Sequence, residues 1–188
     1  MSTVSTTKMT AKQFLQLGQD LPGVRLELVD GEIAASPSPE WRHSRVEKRL
    51  SYLLLQHITE HDRGELLGDV DTILDAFDVR RPDILFVAKA NFHLLKGKVV
   101  NGAPDLCVEI ISPSSGRTDR KDKFRLYAAA GVPHYWIVDA PERTMDCYTL
   151  ARGRYKRVAS GKNTDVVTAP PFLKLKIPLA ALWPATLG

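Results

Sequence analysis

Long apolar runs are missing from this sequence: nothing in it approaches the roughly 18 consecutive apolar residues of a membrane span. The polar, Ser/Thr-rich start, Met1–Thr10, lacks the apolar centre of a signal peptide. Both absences point to the cytoplasm as the expected location, with no membrane partner. Cysteine is scarce. Cys107 and Cys147 both sit in runs that read as strands, and no CxxC or Cys/His spacing accompanies them. Nothing there suggests a cysteine zinc site, and two buried free thiols are the expectation. Internal repeats and low-complexity segments are absent as well.

What is present suits one globular domain: 188 residues, 44% hydrophobic and 26% charged. Residues 1–9 read as a flexible lead-in and 10–188 as a single domain. The net charge of +4 is unevenly spread. Residues 1–80 hold 9 Lys and Arg against 13 Asp and Glu, whereas residues 81–188 hold 17 against 9. One basic face, able to meet a polyanion, is the expected consequence.

Thr10-Ala-Lys-Gln13 is a capping-box pattern, predicting a short helix with Phe14, Leu15 and Leu17. Val24–Val29 alternates, Asp30-Gly31 signals a hairpin, and Glu32–Ala35 is the return strand. Ser38 is expected to cap the next helix, with Pro39 at its first position. From Glu40 to His61, Val46, Leu50, Leu53, Leu54 and Ile58 have helical spacing. Asp69–Leu74 reads as a strand, and Asn91–Gly102 as a loop or short helix. Ile84–Val87 and Leu106–Ile111 are apolar runs expected as central strands buried on both faces. A helix over Thr118–Ala130 ends at Gly131 and Pro133. Strands follow over His134–Val138, Met145–Leu150 and Arg154–Ala159, and the Pro170–Trp183 tail packs back through its apolar residues. Strands interleaved with helices predict an α/β (α+β) protein, a mixed sheet flanked by helices.

Two acids interrupt the apolar strands. Glu109 lies inside Leu-Cys-Val-Glu-Ile-Ile, where an unpaired carboxylate is costly. Alternation places it on one face with Asp105, Cys107 and Ile111. Asp83 begins the other run. Two such acids on neighbouring strands repel unless a cation lies between them, and Mg²⁺ prefers carboxylate oxygens. The competing expectation is that each acid pairs with an arginine, Arg81 for instance. Lys123 stands four residues before Tyr127, at the edge of its helix's apolar side. From position alone, a lysine there snorkels to water, while Lys121 and Arg125 project outward.

Four segments carry a resemblance: Glu27-Leu-Val-Asp-Gly-Glu32, Arg81-Pro-Asp-Ile84, Pro104–Pro113, and Asp119–Lys123 running on through Tyr127–Asp139. Together they resemble the Uma-two family, described as putative restriction endonucleases of the PD-(D/E)XK nuclease superfamily. The likeness covers roughly residues 10–185. It implies a restriction-endonuclease-like fold in which Asp83 and Glu109 bind Mg²⁺, with Mn²⁺ as an alternative. The superfamily's lysine two residues after the second acid is Ile111 here, and the resemblance assigns its role to Lys123. His43 matches a position where the family often has histidine. His43 and Glu47 are secondary candidates, although a solvated helix face is the simpler expectation for both.

The implied activity is metal-dependent hydrolysis of phosphodiester bonds in DNA, with RNA or single strands as other substrates. The alternative is a nuclease-fold protein that binds nucleic acid or a partner without cleaving it. Arg152, Arg154, Lys156 and Arg157, in a stretch without acids, are the candidate phosphate contacts. A homodimer is expected if both strands of a duplex are cut.

Overall fold

The computed structural model describes residues 8–18, 22–111 and 117–184, with the side chains of 117–120 set aside. The elements, in order, are α1 (Ala11–Leu15), β1 (Val24–Val29), β2 (Glu32–Pro37), α2 (Trp41–Glu60), β3 (Gly64–Leu67), β4 (Thr72–Ile73), β5 (Val79–Arg80) and β6 (Ile84–Ala88). A 3₁₀ turn over Lys89–Leu94 leads to β7 (Leu95–Lys96), β8 (Val99–Asn101), β9 (Leu106–Ile111), α3 (Arg117–Ala129), β10 (His134–Asp139), β11 (Thr144–Ala151), β12 (Arg154–Lys162), β13 (Val166–Val167) and β14 (Ile177–Pro178).

Instead of one mixed sheet there are two, each six-stranded, with β13 and β14 forming a small third. One runs β2-β1-β5-β4-β8-β7, and the other β12-β11-β10-β9-β6-β3. Both are mixed: β9 pairs parallel with β10 but antiparallel with β6, and β4 pairs parallel with β8. The fold class is therefore the expected one, α+β with helices flanking sheets.

The second sheet buries both faces, which is why β6 and, apart from Glu109, β9 read as apolar runs. On one face Phe86, Leu106, Val108, Ile110 and Trp136 meet Val46, Leu50, Leu54 and Ile58 of α2. The tail completes this core: Phe172 packs edge-on against Phe86 and Trp136, and Trp136 Nε1 donates to the Pro170 carbonyl at 3.0 Å. Leu173 departs from the expectation and is 68% exposed, because the turn that buries Phe172 faces it outward. On the other face Cys107, Tyr127, Tyr135 and Ile137 form a second core, with Phe124, Tyr148 and Tyr155 packed around it.

Several boundaries differ from expectation. β2 runs on to Pro37, and α2 begins at Trp41 with Glu40 at its N-cap and no side-chain cap bond, so Ser38 and Pro39 do not start it. The strand expected over Asp69–Leu74 shrinks to two residues, because Asp69 adopts a positive φ that breaks extension. β3, β7 and β8 were not anticipated. They are two to four residues long and exist through pairing with β6 and β4. The N-terminal capping box forms as predicted, although Leu17 lies beyond α1 and is exposed. Residues 1–7 of the expected flexible lead-in lie outside the described residues. Lys8 and Met9 are tied down, Lys8 by Asp30 and Met9 N–H by the Gly31 carbonyl. Among the described residues, no helix is long and apolar enough to cross a membrane.

Candidate active site

Register brings the two acids together. β6 pairs antiparallel with β9, with Ile84 opposite Val108, so Asp83 stands opposite Glu109 one step further along. Both are buried. Alternation sends Glu109 to the face that holds Cys107 and the aromatic cluster, and that face is covered by α3.

α3 docks there through Phe124, whose ring meets Tyr135, Tyr148 and Tyr155 edge-on at 5.0–6.0 Å. That anchor sets the phase of the helix. Lys123 and Tyr127, four residues apart and therefore on one face, both reach Glu109. Lys123 Nζ lies 2.9 Å from Glu109 Oε2, and Tyr127 OH donates to Oε1 at 2.7 Å. Lys123 thus points inward, with a side chain 13% exposed, and does not snorkel. Lys121 and Arg125 are exposed, as expected. Ile111, which holds the usual lysine position, packs into the aromatic core instead.

Asp83 is held from three directions. Ile110 N–H donates to Oδ2 at 2.7 Å, His43 Nε2 lies 3.1 Å from the same oxygen, and the Arg25 guanidinium approaches Oδ1 at 3.4 Å. The expected arginine partner was the wrong one. Arg81 pairs with Asp71 at 2.6 Å, while Arg25 bridges Asp83 and Asp69. His43 is buried against Asp83, so the solvated-face expectation fails for it. Glu47, one turn further along α2, stays partly exposed and bonds to Lys48 at 2.9 Å.

Two participants escaped the sequence reading. Glu27 of β1 takes the Arg81 N–H at 2.8 Å and lies 3.5 Å from Arg80 and 3.9 Å from Lys123. It begins the Glu27–Glu32 segment that carries the family resemblance, but nothing in that segment assigned it a role. Tyr127 looked like one more apolar helix residue, and only its hydroxyl sets it apart from phenylalanine.

The cluster interleaves the buried acids Glu27, Asp83 and Glu109 with Lys123, Arg25, Arg80 and His43. Burial pushes the Glu109 carboxyl up to about 7; Lys123 opposes the rise, while the charges of Asp83 and Glu27 add to it. Burial also acts to raise Asp83, but the His43 hydrogen bond and charge, the Ile110 N–H and Lys123 together bring it below the usual carboxylate range. Burial would lower His43, yet the hydrogen bond and charge of Asp83 outweigh it and hold the imidazole above its ordinary value. A divalent cation fits this setting. Its charge would offset the repulsion among Glu109, Asp83 and Glu27, and its oxygen preference matches the donors. Among the described residues no set of three or more His, Cys, Asp and Glu side chains is arranged to hold a metal. The ion would therefore rest on Asp83 and Glu109, and Mg²⁺ commonly uses one or two carboxylates plus waters and substrate phosphate.

A cleft of about 400 Å³ opens onto Lys123 and Glu27, walled by β2 and by Arg25 and Arg80. The basic hairpin lies elsewhere. β12 is the outer edge of the second sheet, and Arg152, Arg154, Lys156 and Arg157 are exposed there. Arg157 is paired with Asp146 at 3.2 Å.

The family model for Uma2, described as "Putative restriction endonuclease", matches residues 11–181. The chain belongs to the Uma2 family. Two uncharacterized Synechocystis proteins resemble this Uma2 chain. One, slr1290, is 28% identical over 146 residues, covering 75% of this chain and 74% of its own. The other, sll1609, is 26% identical over 142 residues, covering 74% and 80%. A crystal structure from Anabaena variabilis, described as a putative nuclease belonging to DUF820, superposes with a TM-score of 0.79 at 19% identity, over 93% of this chain and 97% of that one. The Uma2 chain therefore has the fold of that nuclease-like neighbour.

Proposed function

We propose that this protein is a divalent-cation-dependent endonuclease that hydrolyses phosphodiester bonds in DNA. One observation carries the reading: an ammonium from α3, Lys123, sits 2.9 Å from the Glu109 carboxylate, which faces Asp83 across paired strands. Two acids and a lysine are thereby assembled although the strand position expected to supply the lysine is Ile111.

Asp83 and Glu109 would hold the cation. Bound Mg²⁺ or Mn²⁺ would polarise the phosphate and lower the pKa of a coordinated water. The remaining work belongs to the chain. Lys123 orients the attacking water and stabilises the negative charge that develops on the phosphate oxygens. Tyr127 fixes the second oxygen of Glu109, so the carboxylate cannot rotate away from its post. His43 and the Ile110 N–H fix Asp83 in the same way. Arg25, on the cleft wall, would meet a phosphate beside the scissile bond, and Arg80, buried and paired with Glu27 and Asp78, holds Glu27 in place.

The test is cleavage of supercoiled plasmid, single-stranded DNA and RNA with Mg²⁺, Mn²⁺ or chelator. The expected result is plasmid nicking with either metal, none with chelator, and none by Asp83→Asn. Retained DNA binding with no cleavage under any metal would replace this reading with the non-cleaving one. Cutting of RNA alone would change the substrate but keep the chemistry. A cytoplasmic location and a homodimer that cuts both strands belong to the same proposal, and sedimentation with and without DNA tests the latter.

A further inference from the structure

The outward face of α2 combines two features that a merely solvated helix face does not need together, large bare aromatic rings and a surplus of positive charge. The inner stripe, Val46, Leu50, Leu54 and Ile58, is packed into the core. Trp41, Arg45, Lys48 and Tyr52 recur at i, i+4, i+7 and i+11, so they share the opposite face. Trp41 is 51% exposed and Tyr52 66%. Arg42 and Arg49 flank them and are exposed too. Between Trp41 and Thr59 the helix carries four Lys and Arg against one acid, Glu47, which is bonded to Lys48 at 2.9 Å. The Arg42 guanidinium lies over the Trp41 ring, 4.7 Å from its centroid. Arg45 is half-buried, its Nε donating to the Trp183 carbonyl at 3.4 Å.

We propose that this face binds a single strand of nucleic acid running on from the carboxylates, its phosphates against the basic side chains and its bases stacked on Trp41 and Tyr52. This deepens, and rests on, the nuclease reading. Charge selects the occupant. A second copy of the chain would set the same basic patch against itself across a two-fold axis, and like charges there repel. A phosphate backbone is complementary to it. The aromatic rings then select the strand, because a base offers its flat face to a side chain only where it is not already stacked within a duplex. Trp41 and Tyr52 lie about 17 Å apart along the helix axis, the reach of roughly five nucleotides at about 3.4 Å each. The face also begins beside the site. His43, two residues from Trp41, touches Asp83 at 3.1 Å on the inner side of α2. A strand leaving the carboxylates therefore rounds the N-terminal end of α2 to reach its outer face. The β11–β12 hairpin is further off, since β12 is three strands from β9.

The test uses one oligonucleotide sequence as a single strand and as a duplex, with chelator in place of Mg²⁺. Anisotropy of a fluorescein-labelled strand reports binding. Tryptophan emission with unlabelled strand reports stacking, because Trp136 is fully buried and Trp183 is 7% exposed, which leaves Trp41 as the indole a strand can reach. The expected result is quenching on binding, and tighter binding of the single strand than of the duplex. Trp41→Leu should remove the quenching. Tyr52→Ala should weaken single-strand binding by about fivefold or more. Arg42→Ala and Arg49→Ala should each lower the log–log salt slope by about 0.7. All four positions are exposed, so the variants should melt as wild type does. Binding without quenching, or affinity and salt slope unchanged in these variants, overturns the proposal. So does a dimer, seen by sedimentation, that Tyr52→Ala dissociates, since the face would then belong to a second copy. The plasmid assay with Mg²⁺ on the same preparations keeps the two readings apart. Nicking by a wild type that shows no quenching overturns this surface alone, whereas neither nicking nor binding removes the nuclease reading and this proposal with it.

Discussion

At Lys123 the two roles open to a core-boundary lysine have different consequences. Lys123→Met keeps most of the length and apolar packing and removes the charge. If the ammonium stabilises the transition state, cleavage falls by about 10²-fold or more in a protein that stays folded and binds metal. Lys121→Met, on the exposed side of α3, is the control and should leave the rate nearly unchanged. Equal rates in the two variants would remove Lys123 from the chemistry. Glu109 yields a different expectation. Its ordinary value of 4.5 rises to about 7 on folding, chiefly through burial. The folded state then holds more protons than the unfolded one between those values, so metal-free stability falls as pH rises through that window. At about 1.36 kcal/mol per unit, the loss over the whole window is on the order of 3 kcal/mol. Denaturant midpoints of chelated protein at pH 5 and pH 8 measure it, and Glu109→Gln should flatten the slope. A wild-type slope unchanged by the substitution would mean that other groups dominate. These residue roles were only partly legible in the sequence. An acid inside Leu-Cys-Val-Glu-Ile-Ile announces itself by its cost. Glu27 and Tyr127 do not, because their periodicity matches an ordinary strand or packed face and their partners come from elements distant in sequence, and His43 was reached only through the family resemblance.

Elements with their own periodicity were the readable ones. α2 and α3 carry helical stripes, and β6, β9 and β10 carry apolar runs, so each appears close to its expected place. The short strands β3, β5, β7 and β8 carry no such pattern and form only through their pairing partners. β3 also depends on its first residue. Gly64 has a φ of +151°, and a Cβ there would lie 2.2 Å from the Val87 carbonyl oxygen in the paired strand. Gly64→Ala should therefore cost about 2 kcal/mol or more, read as a lowered denaturant midpoint. A change below ~0.5 kcal/mol would mean that β3 can shift off β6 without penalty. The β11–β12 hairpin raises a question of purpose. Exposed lysines and arginines on an edge strand deter pairing with other chains, and they also suit phosphate binding. Replacing Arg154 and Lys156 with Ala should weaken DNA binding evenly across sequences and reduce the log–log salt slope by roughly 0.9 for each phosphate that is no longer neutralised. An unchanged slope, with more aggregation, would assign the charges to edge protection instead.

For the whole molecule, the site is a seam. Glu27 and Arg25 come from the first sheet, Asp83 and Glu109 from the second, Lys123 and Tyr127 from α3, and His43 from α2. Both six-stranded sheets and both long helices therefore contribute to one cluster of buried charge, and occupancy of that cluster should be felt as global stability. A cation that binds only the folded protein adds RT ln(1 + [L]/Kd), about 2.7 kcal/mol at 100 times Kd. For a chain of this size that corresponds to a rise in Tm of about 5–10 °C. Glu109 adds a pH signature. Below about 7 its proton competes with the cation, so the rise should be full at pH 8 and shrink at pH 6. Asp83→Asn removes one of the two carboxylates and should abolish the rise at either pH. Thermal melting across a Mg²⁺ titration at both pH values measures all three effects. A rise that persists in Asp83→Asn would place the ion elsewhere on the chain. No rise in wild type at pH 8 would mean that Lys123, Arg25 and Arg80 offset the acids without a metal and that the seam is structural.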